Sequence, residues 1–301
     1  MFSTPSLHQI GTPRLHIAYE EHGPQGGEPV ILLHGFPYDT RAYDEIAPPL
    51  AKRGYRVLVP YLRGYGPTRF AHPRIMRSGQ QAALAQDLLD FMDALQLPRA
   101  TLAGYDWGGR AACIVAALWP QRVKALMSAD GYNIQDIARA GEPRAPETEY
   151  RLWYQYYFNT PRGVDGLTAN RRELCELLWR LWSPTWQRGP ELYGLSAPSF
   201  DNPDFVEVVI HSYRHRFGYA PGDPDLESIE RALVAQPPIQ VPTIALCGAD
   251  DGVGPATEPD PDVGLFSGPY QRRILPGVGH NLPQEAPQAT LDALLELLDR
   301  P

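Results

Sequence analysis

One aspartate sits between glycines in Gly104-Tyr105-Asp106-Trp107-Gly108-Gly109, at the junction of a strand-like run and a helix-like run. Flanking glycines allow a tight, strained turn that lifts the central side chain above a sheet, the geometry of a nucleophile elbow. A carboxylate is already ionised at neutral pH, so it can attack without a base. At a saturated carbon it would displace a leaving group and remain as an alkyl ester. The helix N-terminus behind it supplies backbone N–H groups and a positive dipole end. The competing role for Asp106 is a helix N-cap, which Asp often fills. Its place after the third core strand, together with the residues below, favours the nucleophile.

An alkyl ester needs a water to break it, and the water needs a base. Of the eight histidines, only His280 and His34 fall where a core strand end delivers a side chain to the top of a sheet. His280 lies in the Gly-rich loop Gly277-Val278-Gly279-His280-Asn281, and His is the natural general base near pH 7. A base is oriented by a carboxylate. Asp251 in Gly248-Ala249-Asp250-Asp251-Gly252 is favoured, with Asp130 and Asp250 as competitors. The tetrahedral oxyanion of ester hydrolysis calls for two N–H donors. The backbone N–H groups of Trp107 and of Phe36, in His34-Gly35-Phe36-Pro37, are expected to supply them. His34 is expected to shape that loop, with His34 and Pro37 both close to a bound substrate.

These residues need a scaffold. Pro29–Leu33, Tyr55–Val59, Ala100–Ala103 and Ala125–Ser128 read as short apolar strands. They alternate with helix-like stretches at about 40–53, 80–97 and 111–118. Such alternation implies a mostly parallel sheet covered by helices on both faces. The pattern breaks near Gly131, where the chain becomes rich in Trp, Tyr and Pro, with a helix over Arg171–Trp182. Strands resume at Thr243–Cys247 and Arg272–Leu275, and a last helix runs over Ala289–Leu298. The expected division is an α/β core of residues 1–132 and 236–301 interrupted by a helical cap of residues 133–235.

Composition narrows the function. The net charge of −8 argues against a general phosphate-binding surface, and the run Arg214-His215-Arg216 is too short to make one. Nucleic acid is therefore not an expected partner. No apolar stretch approaches the length of a membrane span, and Met1–Pro5 lacks the basic start of a secretory signal. Cys113, Cys175 and Cys247 are odd in number and widely spaced. They read as buried reduced thiols in a cytoplasmic protein, with no metal-site spacing.

With these motifs in hand, the chain resembles the α/β-hydrolase superfamily, and within it the capped, Asp-nucleophile soluble epoxide hydrolases. The resemblance rests on His34-Gly35-Phe36-Pro37, the Asp106 elbow, the Asp251 loop and the His280 loop. Their order of nucleophile, acid, base is the one expected there. It implies an α/β-hydrolase fold without a cofactor, and two cap tyrosines that donate to the epoxide oxygen. These map to Tyr154, in Tyr154-Gln155-Tyr156-Tyr157-Phe158, and to Tyr213, in Ser212-Tyr213-Arg214. Tyr150, Tyr156, Tyr157 and Tyr219 are nearby alternatives, and Trp153 and Gln155 flank the first donor as expected substrate contacts. The stretches Gly131–Glu149 and Glu258–Val263 have no counterpart in the resemblance.

The expected activity is hydrolysis of a largely apolar epoxide to a vicinal diol, with water as co-substrate, in a monomer or homodimer. A haloalkane or haloacid dehalogenase would use the same Asp106, His280 and Asp251, with Trp107 and another tryptophan cradling the halide. Trp179, Trp182 and Trp186 instead read as packing. An ester or lactone hydrolase, and a ligand-binding protein on a hydrolase fold, are the remaining alternatives.

Overall fold

Short runs of Val, Ile and Leu with no polar face are best buried on both sides, and here they become the central strands of one sheet. A computed structural model describes residues 6–300; the expectation about Met1–Pro5 lies outside the described residues. Among the described residues nine strands make the sheet: β1 (Ser6–Gly11), β2 (Leu15–His22), β3 (Pro29–Leu33), β4 (Arg56–Pro60), β5 (Arg69–Phe70), β6 (Ala100–Gly104), β7 (Val123–Ala129), β8 (Thr243–Gly248) and β9 (Tyr270–Leu275). Their order is β1-β2-β4-β3-β6-β7-β8-β9, with β5 paired to β2. The β1/β2, β2/β5 and β2/β4 pairs are antiparallel; from β4 to β9 every pair is parallel. All parallel strands therefore end on one side, where Asp106, Asp130, Asp251 and His280 follow β6, β7, β8 and β9.

The helices are α1 (Ala47–Lys52), α2 (Gln81–Ala94) and α3 (Asp106–Leu118) in the first part of the chain. Between β7 and β8 come α4 (Pro146–Arg151), α5 (Trp153–Asn159), α6 (Pro161–Ala169), α7 (Arg171–Trp182), α8 (Gly189–Ser196), α9 (Phe205–Arg216) and α10 (Glu227–Leu233). The described residues of this insert contain no named strand. The chain then ends with α11 (Leu282–Glu285) and α12 (Pro287–Leu298). Phe158, Trp182 and Tyr213 of the insert share one buried cluster with Leu33 and Trp107 of the sheet layer.

Two helices depart from the sequence reading. The stretch 40–53 is a 3-10 turn over Thr40–Tyr43 followed by α1. Pro48 and Pro49 cause the break, because proline lacks an N–H and is tolerated only where a helix starts. Helix α3 begins at Asp106, not near Ala111. Gly108 and Gly109 are poor helix formers, yet the site requires them.

Candidate active site

The turn from β6 to α3 spends one residue, Tyr105, and Asp106 takes φ +50°. That left-handed backbone is rare for a residue with a Cβ and marks stored local strain. Three glycines make room for it. A Cβ on Gly104 would lie 2.5 Å from the Gly108 carbonyl oxygen, and one on Gly108 would lie 2.2 Å from that of Leu33. On Gly35 it would meet the Asp106 Cβ at 2.6 Å. This close approach lets Phe36 N donate to Asp106 Oδ1 at 2.7 Å. Trp107 N sits in the first turn of α3, where N–H groups have no intrahelical acceptor. Oδ2 faces Arg110 Nη2 at 3.7 Å and His280 Nε2 at 3.8 Å. Burial alone would raise the Asp106 pKa, but the neighbouring His280, the Arg110 charge and the Phe36 N–H outweigh it and hold it at about 2. The carboxylate is ionised.

His280 Nδ1 lies 2.7 Å from Asp251 Oδ2. The other oxygen, Oδ1, accepts from Val253 N at 2.6 Å and Gly254 N at 3.1 Å, so the carboxylate is fixed at both ends. Asp130 Oδ2 is farther from Nδ1, at 3.6 Å, and Asp250 is exposed. Burial pushes the Asp130 carboxyl well above its ordinary range, and the Asp251 charge adds to this. Burial favours a neutral His280, but Asp251, with Asp106 and Asp130, raises its pKa well above the usual value. Asp130, Asp251 and His280 offer ligand-type atoms within 4.8 Å of one another. The 2.7 Å hydrogen bond fills the space a cation between Nδ1 and Oδ2 would need.

The insert locks both loops. The Trp182 carbonyl, at the end of α7, accepts from His280 N at 3.1 Å and from Gly252 N at 2.9 Å. Glu285 holds the base loop from the other side: Oε2 accepts from Gly279 N at 2.7 Å and Oε1 from Asn281 N at 3.0 Å. Oε1 also takes the Ser183 hydroxyl at 2.6 Å. Glu285 escaped the sequence reading, since nothing marks it apart from any other surface-type Glu. The Trp182 ring stands edge-on to His280, with centroids 5.2 Å apart.

Tyr154 and Tyr213 come together from α5 and α9, with ring centroids 5.5 Å apart and planes at 88°. Both are buried. The Tyr154 hydroxyl oxygen accepts from Gln155 Nε2 at 3.0 Å, which leaves its proton free to donate. Burial raises both phenol pKa values; the Arg216 charge lowers both. Tyr150 and Tyr219 are largely exposed, and the Tyr156 hydroxyl donates to Glu149. Trp179 Nε1 donates to the Pro37 carbonyl at 2.6 Å, and its ring stacks on Trp186, so it is committed to packing. The Trp107 Nε1 is buried without a partner.

A cavity of about 610 Å³ opens onto Asp106, Tyr154 and Gln155. Three expected substrate contacts are corrected. His34 is wholly buried: Nδ1 pairs with the Gly35 carbonyl at 2.9 Å, and Nε2 accepts from Leu62 N at 3.0 Å. Burial lowers its pKa to about 4, so it is a neutral brace for the loop. Pro37 is buried under Trp179, and Trp153 lines a different cavity beside Asp250. The cavity is also not the largely apolar one expected. Arg110, four residues after Asp106 on α3, and Arg216, three after Tyr213 on α9, both reach it. The periodicity of a helix gives the signal that could have found them. The Gly131–Glu149 stretch forms much of the remaining wall. By contrast, Glu258–Val263 does not line the cavity: Asp260 accepts from the Tyr270 hydroxyl at 2.9 Å, and Asp262 braces the wall from behind, accepting from Tyr132 N at 2.9 Å.

The profile of the alpha/beta hydrolase fold family matches residues 28–287. Epoxide hydrolase A of Mycobacterium tuberculosis is 28% identical, over 98% of this chain and 97% of that protein. A haloalkane dehalogenase of Mycobacterium marinum is 34% identical, over 50% of this chain and 48% of its own length. The crystal structure of a candidate epoxide hydrolase from Klebsiella pneumoniae superimposes with a TM-score of 0.95 at 46% identity, covering 97% of each chain.

Proposed function

The chain belongs to the alpha/beta hydrolase fold family, and from that premise we propose that this hydrolase opens an epoxide to a vicinal diol without a cofactor. The observation that carries the reading is the Asp106 carboxylate. One oxygen is seated on the Phe36 N–H, while the other faces His280 and Arg110, beside a cavity that Tyr154 also lines. Oδ2 attacks a ring carbon; the carbon–oxygen bond breaks, and its electron pair goes to the ring oxygen. Tyr154, with Tyr213 beside it, delivers a proton there. Next, His280, oriented by Asp251, takes a proton from water, and the hydroxide adds to the ester carbon of Asp106. Phe36 N and Trp107 N hold the resulting oxyanion. Collapse expels the diol oxygen, which takes the proton held by His280, and the proton of the restored Asp106 carboxyl passes to the Tyr154 phenolate. The same proposal divides the chain into a core of 1–132 and 236–301 and a cap of 133–235. Three free buried thiols support a cytoplasmic setting. No helix among the described residues is long and apolar enough to cross a membrane.

A second reading, dehalogenation through the same Asp106, is favoured by one observation: the unpartnered Trp107 Nε1 could receive a departing halide. Mass spectrometry of intact His280→Gln separates the two. An adduct carrying the whole epoxide mass, mapped to Asp106, is expected. An alkyl adduct lacking its halogen, with none from epoxides, would move the assignment to the dehalogenase.

A further inference from the structure

We propose that Arg110 and Arg216 form a carboxylate subsite and that the substrate is a short epoxy acid carrying its carboxylate next to the reacting ring. This rests on the epoxide reading and specifies its substrate class.

Arg216 ends α9, buried to 8% exposure, and lines the same cavity as Asp106 and Arg110. A buried guanidinium is normally met by a carboxylate, because an unpaired buried charge is costly. Among the described residues Arg216 has no ion pair. With its amide oxygen turned inward, Gln135 accepts from Nε at 2.8 Å and from Nη2 at 2.9 Å. A neutral amide thus props the fork and leaves its charge uncompensated. Gln135 is itself fixed, its backbone N donating to Gln81 Oε1 at 2.9 Å. The other face of the guanidinium lies over the Tyr213 ring, 4.8 Å from its centroid. Arg110 is 12% exposed, and its one carboxylate partner is Asp106.

Two cations therefore line one cavity with the Asp106 carboxylate, and the reaction removes that anion. Once Asp106 is an ester, it no longer balances Arg110. A carboxylate on the substrate would balance the pair through both half-reactions, held by charge-assisted hydrogen bonds. Arg110 sits against the attacking oxygen, so the anionic group must lie within a bond or two of the ring carbon. Of the acidic wall residues, Glu142 is paired with Arg139 and Glu149 with the Arg144 N–H and the Tyr156 hydroxyl. Asp136 also lines the wall, half-buried, and forms no ion pair with either Arg110 or Arg216.

The test compares 2,3-epoxybutanoate with the isosteric neutral 2,3-epoxybutanamide. Wild-type kcat/KM is expected to favour the acid by about 10- to 100-fold. Arg216→Gln should collapse that ratio through KM, and Arg216→Lys should restore part of it. A wild-type enzyme that prefers the amide, or treats the two alike, overturns the proposal without any variant. So does an equal loss on both substrates in Arg216→Gln, which would assign Arg216 to tuning the tyrosines. If neither epoxide turns over, calorimetry with unreactive butanoate and butanamide decides separately. Selective butanoate binding that Arg216→Gln abolishes keeps the anion site and discards the epoxide reading; unselective binding overturns the anion site.

Discussion

His280 must change its protonation state between the two half-reactions of the proposed mechanism, and its surroundings supply the means. In the free enzyme burial opposes a charged ring, but Asp251 and Asp106 win, and its pKa stands well above the ordinary value. The ring is then protonated near neutrality and useless as a base. Alkylation turns Asp106 into an uncharged ester and removes one of the groups that held the proton. The His280 pKa falls back toward its ordinary value, so alkylation favours the free base at the stage when there is an ester to hydrolyse. The Asp106 carboxylate, held at about 2, is ionised throughout. Rapid-quench measurements should therefore find alkylation flat from about pH 5 to about pH 8, while ester hydrolysis rises with pH through the His280 titration. Asp251→Asn removes a favourable charge, so that limb should move to lower pH by about one to three units, and the plateau should fall at least about tenfold. Losing Asp251 also removes one of the influences that raise the Asp130 pKa. Asp130, 3.6 Å from Nδ1, can then ionise and substitute in part. The Asp130→Asn/Asp251→Asn double variant should be slower again by about tenfold; equality with the single variant would remove Asp130 from the account.

At the scale of elements, the site depends on how closely α7 approaches the loops after β8 and β9. A Cβ on Gly252 would stand 2.0 Å from the Leu181 carbonyl oxygen; on Gly279 it would stand 2.6 Å from Ser183 Cα. Both obstacles are backbone, which cannot rotate away. Gly279→Ala should then push the insert off the base loop and strain the Trp182 O–His280 N bond. Denaturant unfolding should register a loss of about 1–3 kcal/mol, and kcat should fall more than KM changes. Full stability and activity in that variant would show the contact to be slack. The sequence carried the strands and the elbow because their signals are local: an apolar run, a Gly on each side of one Asp. Asp106, His280 and Asp251 could be read from strand ends alone, and their side chains meet in the structure. What could not be read is what depends on distant partners. Arg216 looks like surface in Arg214-His215-Arg216; only its packing against Gln135 and Tyr213 buries it. Gly252 and Gly279 look like ordinary loop glycines until Trp182 is placed over them.

Over the whole molecule, the net charge of −8 opposes the anionic substrate that Arg110 and Arg216 would accept. The two effects differ in range, and salt can separate them. Repulsion by the overall charge acts across solvent, where the screening length shrinks from about 30 Å at about 0.01 M salt to about 8 Å at about 0.15 M. Contact with Arg110 and Arg216 takes place inside a cavity, where screening by ions is much weaker. Adding salt should therefore relieve the repulsion and leave the contact largely intact. Over that range of ionic strength, kcat/KM for 2,3-epoxybutanoate should rise by about two- to threefold. The neutral amide, which feels neither effect, provides the flat control. A fall in the acid's kcat/KM would mean that mobile ions reach the arginines as readily as substrate does. The guanidiniums would then act as a screened surface field, not as a closed subsite, and the acid preference would vanish at physiological salt.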